Sequence, residues 1–134
     1  MRRWWPAVGL CVLAGGCGLQ VRSADLFQLT RTGQTKPLTL IVNDGGTIRC
    51  NGGPSKPLSN PLLLQARALV TNLDKDAKRK LRLPAGPGSV FSYSVRFQNG
   101  TVTFADNSTA RNPELAQAEL FAFHTAREAC GVSG

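Results

Sequence analysis

The sequence predicts an α+β fold: a two-layer sandwich in which an antiparallel sheet of four to five strands carries two helices on one face, in the order βββαββα. Three observations predict it. Several segments alternate apolar and polar residues with period two, two short turns have hairpin sequences, and two stretches place apolar residues at helical spacing after an Asn-Pro pair. Hairpins pair antiparallel strands, and one-sided helices need a sheet face to cover.

Three strands are expected before the first helix. The first, "DLFQLTRTG" from Asp25, places Phe27, Leu29 and Arg31 on one face and the intervening residues on the other. The second, "KPLTLIVND", has a leucine and valine face, and "NDGG" at 43–46 then makes a hairpin turn. The third is "TIRC". The segment "CNGGPSKPLSNP", 50–61, is predicted to be a loop because of its glycines and prolines.

The first helix is predicted to begin with Asn60 as its N-cap and Pro61 at its first position. Its inward stripe comprises Leu62, Ala66, Leu69 and Leu73. Residues 74–88 are expected to form a solvated helix end that runs into a proline- and glycine-rich loop.

A second hairpin and a second helix complete the fold. "SVFSYSVRF" and "TVTFA" are strands joined by an Asn99-Gly100 turn. The last helix is capped by Asn112 and Pro113 and ends near Gly131, and its apolar stripe is expected to run through Ala116, Leu120 and Phe123.

The N-terminal segment predicts export. Residues 1–16 form a signal, with two arginines, a short apolar run and a small-residue end, too short to span a membrane. Residues 17–24 are interpreted as a lipidated Cys17 followed by a short tether, and residues 25–134 as a single globular domain. Cleavage further on, near Ser23-Ala24, is the alternative. Cleavage before Cys17 removes Arg2 and Arg3, leaving 14 basic and 8 acidic residues of the original 16 and 8, a net charge of +6.

Cysteine usage agrees with export. Cys11 lies in the signal and Cys17 is assigned to lipid, so Cys50 and Cys130 remain and are predicted to form one disulfide in an oxidising compartment. Two separate buried thiols are the alternative. No metal site is expected, because two distant cysteines and the single His124 make no ligand set.

No set of residues predicts catalysis. His124 lies on the last helix without a nucleophile or orienting acid nearby in sequence, and the acidic residues are scattered over turns and helix starts. The chain is therefore expected not to be an enzyme and to need no cofactor.

One charge cluster predicts an anionic partner. The basic run comprises Lys75, Lys78, Arg79, Lys80 and Arg82, and it could lie against anionic headgroups or cell-wall polyanions. The plainer interpretation is a solubilising helix end. Nucleic acid is excluded, because the chain is exported and no aromatic residues interleave with the cluster.

Two resemblances add expectations. "LAGGC" resembles the bacterial lipobox, although Leu13 lies one place further from Cys17 than usual. With "PLTLIVNDGGTIRCNGG", "PGSVFSYSVRFQNGTVTFAD" and "AREACG", the chain resembles small actinobacterial exported lipoproteins of unknown activity. More weakly, "LTLIV" and "GGTIRC" resemble the Streptomyces subtilisin-inhibitor family, which implies a disulfide-stapled α+β sandwich that inhibits proteases. That family has two disulfides, whereas this chain has one available pair.

The expected function is a non-catalytic binding domain of the cell envelope, either lipid-anchored at the outer face of the cell membrane or secreted. Its expected partners are the membrane, through the lipid on Cys17, and an envelope protein, a protease or an anionic surface. The alternative is a secreted protease inhibitor. Its reactive segment would be "NGGPSKPLSN", offering Lys56 or Leu58, or else the segment 82–89.

Overall fold

A six-stranded antiparallel sheet forms one layer of the structure, a computed structural model that describes residues 24–132. The predicted α+β fold is thereby confirmed, although the sheet has six strands where four to five were predicted. The elements, in chain order, are β1 (Asp25–Gly33), β2 (Leu38–Asn43), β3 (Thr47–Cys50), β4 (Ser55–Pro57), α1 (Asn60–Asn72), α2 (Asp74–Lys78), β5 (Phe91–Phe97), β6 (Gly100–Ala105) and α3 (Pro113–Glu128). The predicted signal and Cys17 lie outside the described residues. Within them, no helix is long and apolar enough to cross a membrane.

The strands lie in the order β4-β3-β2-β1-β5-β6. Both predicted hairpins are present, but the second turn comprises Gln98 and Asn99 rather than the predicted Asn99-Gly100. In the first, the Gly46 amide donates to the carbonyl oxygen of Asn43 over 3.0 Å, and Gly46 has a φ of +91°. In the second, Gly100 pairs with Phe97. A Cβ on Gly100 would lie 2.1 Å from the carbonyl oxygen of Ala77 in α2, so only glycine fits there.

The helices cover one face of the sheet, and alternate strand residues fill the space beneath them. The predicted α1 stripe is buried, and the ring of Phe27 makes edge contacts with Phe97 and with Phe121 of α3. The sheet residues of this core are Phe27, Leu29, Leu38, Leu40, Val42, Ile48, Tyr93, Val95, Phe97, Val102 and Phe104.

Two elements were not predicted. The predicted loop 50–61 contains β4, which pairs with β3, because the chain turns back at Asn51 and Gly52, both of which have positive φ. The predicted solvated helix end forms α2, whose Ala77 is fully buried. The first helix also begins one residue earlier than predicted, with Ser59 as its N-cap.

The predicted face of α3 is wrong. Leu120 and Phe123 are 57% and 40% exposed, and the buried face is turned instead toward Leu115 and Phe121. Both stripes recur at helical spacing, so periodicity did not separate them. The buried stripe also carries Ala118, Ala122 and Ala126, whose small size lets the helix approach the sheet closely.

The predicted disulfide is confirmed. Cys50 ends β3, and Cys130 follows the last turn of α3, with their Cα atoms 5.8 Å apart. The bridge therefore fastens the sheet to the end of the helix layer.

Candidate binding surface

The sheet face opposite the helices is uncovered. On the long strands the residues that alternate with the core residues are half-buried or exposed, except Ala105 at the end of β6, which is buried. A solvated face is usual for an antiparallel sheet in a two-layer fold. What distinguishes this one, called here the open face, is its composition of hydroxyl groups and arginines.

A row of hydroxyl side chains crosses the open face. Thr30 pairs with Thr39 on one side and with Ser94 on the other, and Ser94 pairs with Thr103. Paired residues in neighbouring strands point to the same side of the sheet, so the four hydroxyls form one row. The row ends at Arg82, which forms a parallel bridge with Thr103.

A second row carries two arginines. Arg49 pairs with Ile41, Ile41 with Gln28, and Gln28 with Arg96. Three strand spacings separate the Cα atoms of Arg49 and Arg96, which is about 14 Å. Two more spacings lead from β5 to the segment of Arg82, so the three arginines span about 24 Å of the sheet.

These arginines are only partly engaged. The Nε of Arg49 donates to the carbonyl oxygen of Gly53 over 3.0 Å, which holds its side chain in place. The side chains of Arg82 and Arg96 make no hydrogen bond or ion pair within residues 24–132. Asp25, at one corner, is the acidic residue of this face, and it accepts a hydrogen bond from the Asn43 amide over 3.1 Å. The open face is therefore electropositive.

Three hollows follow the open face from one side to the other. The first, about 700 Å³, is lined by Asp25, Ile41, Arg49 and Ser55, among others. The second, about 210 Å³, shares Asp25 and Ile41 with the first and includes Arg96. The third, about 410 Å³, is bounded by Lys80, Arg82, Thr101 and Thr103. Each hollow thus has at least one basic side chain on its wall.

The structure divides the predicted basic run. Lys78 forms an ion pair with Asp74, and Arg79 with Asp76, each at 2.8 Å. Lys75 is exposed on α2. Lys80 and Arg82 come together at the third hollow, because the chain leaves α2 through a positive φ at Lys80 and runs along β6.

The predicted inhibitor segment does not present its side chains as expected. Leu58 is 6% exposed and belongs to the core, so the hypothesis that it enters a protease pocket is wrong. Its amide donates to the carbonyl oxygen of Gly46, which draws this residue inward. Lys56 is exposed but lies within β4, where it pairs with Ile48, rather than on a protruding loop.

The second segment, 82–89, is the better supported loop. The Asn107 side chain accepts from the Gly86 amide at 3.0 Å and donates to the carbonyl oxygen of Pro87 at 3.0 Å. Asp106 accepts from the Ser89 hydroxyl at 2.7 Å, and its hydrogen bonds lower its pKa against the opposing effect of burial. Two side chains of one neighbouring loop therefore brace this segment, which turns between Gly86 and Ser89, where the Ser89 amide donates to the Gly86 carbonyl oxygen over 3.3 Å.

The most perturbed titratable groups lie between sheet and helices. Burial, together with the charge of Asp106, raises the pKa of Glu119 to about 7. Burial, together with the charge of Glu119, raises the pKa of Tyr93 to about 12. Arg31, 3% exposed, lies over the ring of Phe91, 4.6 Å from its centroid. None of these groups lines a hollow of the open face.

A carboxyl pair fastens α2 to α3. Burial raises the pKa of Asp76, and the Glu114 carboxyl beside it raises it further. Burial opposes ionisation of Glu114, but hydrogen bonds involving its own amide, Asp76 and Asn112 lower its pKa overall. Arg79 contacts the same Asp76 oxygen through Nε and Nη2, so the pair is part of a packed contact between helices.

His124 is exposed, with its ring against Phe123. In the described part of the chain, no group of three or more His, Cys, Asp or Glu side chains could hold a metal ion.

No protein-family model, no curated protein and no solved structure matches this chain. Sequence reasoning missed Arg49 and the two-row arrangement. The sequence did hold a signal for the open face, because polar residues alternate with apolar residues along the strands. In β5 the polar residues are Ser92, Ser94 and Arg96.

Proposed function

We propose that this chain is a non-catalytic binding domain of the cell envelope, lipid-anchored through Cys17 or secreted. The observation that carries the proposal is the composition of the open face. It offers arginines and hydroxyl groups to a ligand, whereas the groups with strongly shifted pKa values lie beneath the helices. Shifted pKa values accompany catalytic sites, and their separation from the accessible hollows favours binding.

The disulfide supports an envelope location, because such bridges persist where the surroundings are oxidising. A leader with a basic start and a short apolar run supports the same location. A diacylglyceryl group on Cys17 would supply the two acyl chains that stable membrane attachment requires.

Export and processing are tested on the full chain in an export-competent bacterial host. We expect the membrane fraction to contain a protein that begins at an acylated Cys17, detected by mass spectrometry, and a Cys17→Ser variant to leave that fraction. An unmodified N-terminus after Ala24 would replace anchoring by secretion. Retention in the cytoplasm with Cys50 and Cys130 reduced would overturn the envelope assignment altogether.

Binding is tested by sedimenting isolated cell-envelope material with the mature protein. Depletion of the protein from the supernatant is the expected result. Full recovery in the supernatant at micromolar protein and low salt would contradict the proposal.

A second candidate, protease inhibition, is favoured by one observation, the bracing of segment 82–89 by Asn107 and Asp106. A preorganised loop fits a protease cleft at low conformational cost. Titration against subtilisin-like and trypsin-like proteases tests it. Inhibition that weakens in Asn107→Ala would support this function, and rapid cleavage between Leu83 and Ser89 without inhibition would remove it.

A further inference from the structure

We infer that the open face binds a linear acidic polysaccharide, whose carboxylates meet Arg49, Arg96 and Arg82 and whose hydroxyls meet the row of threonine and serine side chains. The inference rests on the proposed function and names the ligand of that same domain. Three features of the open face carry it: its charge, its hydrogen-bonding groups and the course of its hollows.

The charge of the face selects an anion. Three acidic residues away from the open face form ion pairs. Asp44 pairs with Arg67 at 2.7 Å, and Asp74 and Asp76 pair with the basic side chains at positions 78 and 79. On the open face, by contrast, Arg82 and Arg96 are unpaired within the described residues. A guanidinium presents a planar fork of donors that matches a carboxylate, so free arginines on a solvated surface suit this ligand group.

The hydroxyl row selects a sugar rather than a bare anion. The side chains of Thr39, Thr30, Ser94 and Thr103 make no hydrogen bond within residues 24–132. Each hydroxyl both donates and accepts, as a sugar hydroxyl does, so the two can pair without burying an unpartnered group. Lysines or further arginines in this row would favour phosphate polymers more strongly. The four hydroxyl residues of the observed row are neutral, and Arg82 alone supplies a charge at one end.

The hollows give the ligand its shape. They extend from the sheet edge at Ser55, past Ile41, to the third hollow beside Lys80, so a ligand that contacts all of them is long and narrow. The three arginines span about 24 Å, which a short oligosaccharide does not bridge. A linear polymer engages them together, and each further contact then forms at high effective concentration.

The test uses the mature protein and fluorescently labelled polygalacturonate, a linear uronic-acid polymer, in an anisotropy titration at low salt. We expect binding that weakens as ionic strength rises, because exposed charges are screened. A ten-sugar oligomer should bind at least about tenfold more tightly than a disaccharide. Neutral dextran should not bind.

A matched pair of variants separates this surface from general charge attraction. Arg82→Gln/Arg96→Gln and Arg111→Gln/Arg127→Gln each remove two positive charges, but the second pair lies before and on α3. We expect about a 25-fold loss of affinity in the first variant, about fivefold per arginine, and less than about twofold in the second. Equal losses in the two variants would overturn the assignment of the surface.

Two further results would overturn the identity of the ligand. Polyphosphate that binds as tightly as polygalacturonate, at equal charge, would show that the face responds to charge alone. A Thr30→Val/Ser94→Ala variant that binds polygalacturonate as tightly as the parent would remove the hydroxyl row from recognition. If the protein sediments with envelope material but does not bind polygalacturonate, this inference is wrong and the proposed function still stands. Failure to bind envelope material would instead refute the proposed function.

Discussion

Removal of the disulfide gives the most quantitative test of the fold. Cys50 and Cys130 are separated by 80 residues, and the chain-entropy relation for a loop of that length gives about 4.5 kcal/mol at 25 °C. The value arises in the unfolded chain, which the bridge prevents from expanding. We therefore expect the Cys50→Ser/Cys130→Ser variant to lose 2–5 kcal/mol, about the range seen when native bridges are removed, and its Tm to fall by roughly 10–20 °C.

Urea unfolding followed by circular dichroism measures this loss. The double variant leaves no free thiol within residues 24–132, and the parent protein in reducing buffer serves as the control that should match it. Because the origin lies in the unfolded chain, the native far-ultraviolet spectrum should not change. A loss below about 1 kcal/mol, or a native spectrum with less helix, would refute the reasoning and show that the bridge acts by holding α3 in place.

Two matched pairs of substitutions test the packing, and a fifth substitution tests a buried carboxyl group. Phe121→Ala should lower the free energy of unfolding in urea by about 3–5 kcal/mol. Phe123 lies on the exposed side of α3, so Phe123→Ala should lower it by less than about 1 kcal/mol. Equal losses in the two variants would contradict the observed buried face of α3. Gly100→Ala should lower the free energy of unfolding by more than about 2 kcal/mol, because its Cβ would strike a carbonyl oxygen of α2 at 2.1 Å. Gly88 also has a positive φ but has open space around it, so Gly88→Ala should lower that free energy by only about 1 kcal/mol. Burial raises the pKa of Glu119 to about 7, above its unfolded value near 4.5. The free energy of unfolding should therefore fall by about 1–3 kcal/mol as pH rises from 4.5 to 7, and it should stay level above pH 7. Glu119→Gln should abolish this pH dependence in melting curves, and an unchanged pH dependence would place its origin elsewhere.

The sheet was the most predictable part of the fold. Period-two patterns in β1, β2 and β5 and the two glycine turns determined which residues enter the core, since a shift of one residue would expose the whole apolar set. The disulfide was predictable from the expectation of export and from the number of cysteines left after the leader. These signals are local in sequence, or need only two residues.

What sequence reasoning missed depends on packing between distant segments. β4 exists because its three residues reach the edge of β3, and nothing in "SKP" alone favours a strand. The buried face of α3 is selected by the sheet beneath it, against a stripe of equal period that contains Leu120 and Phe123. Alternation within single strands indicated which side chains lie on the open face, but their alignment in two rows could not be foreseen, because it depends on register across strands that are far apart in the chain.

The two borders of the sheet have a consequence for the behaviour of this protein at high concentration. At one border, Pro57 offers no amide hydrogen and Lys56 carries a charge. At the other, the Thr103 amide donates to Leu81 and its carbonyl accepts from Leu83, while the Ala105 amide donates to the Ser108 hydroxyl. Neither border leaves a long row of unpaired backbone groups onto which a strand of another molecule could add. Such a domain resists strand-by-strand aggregation even when its concentration is high.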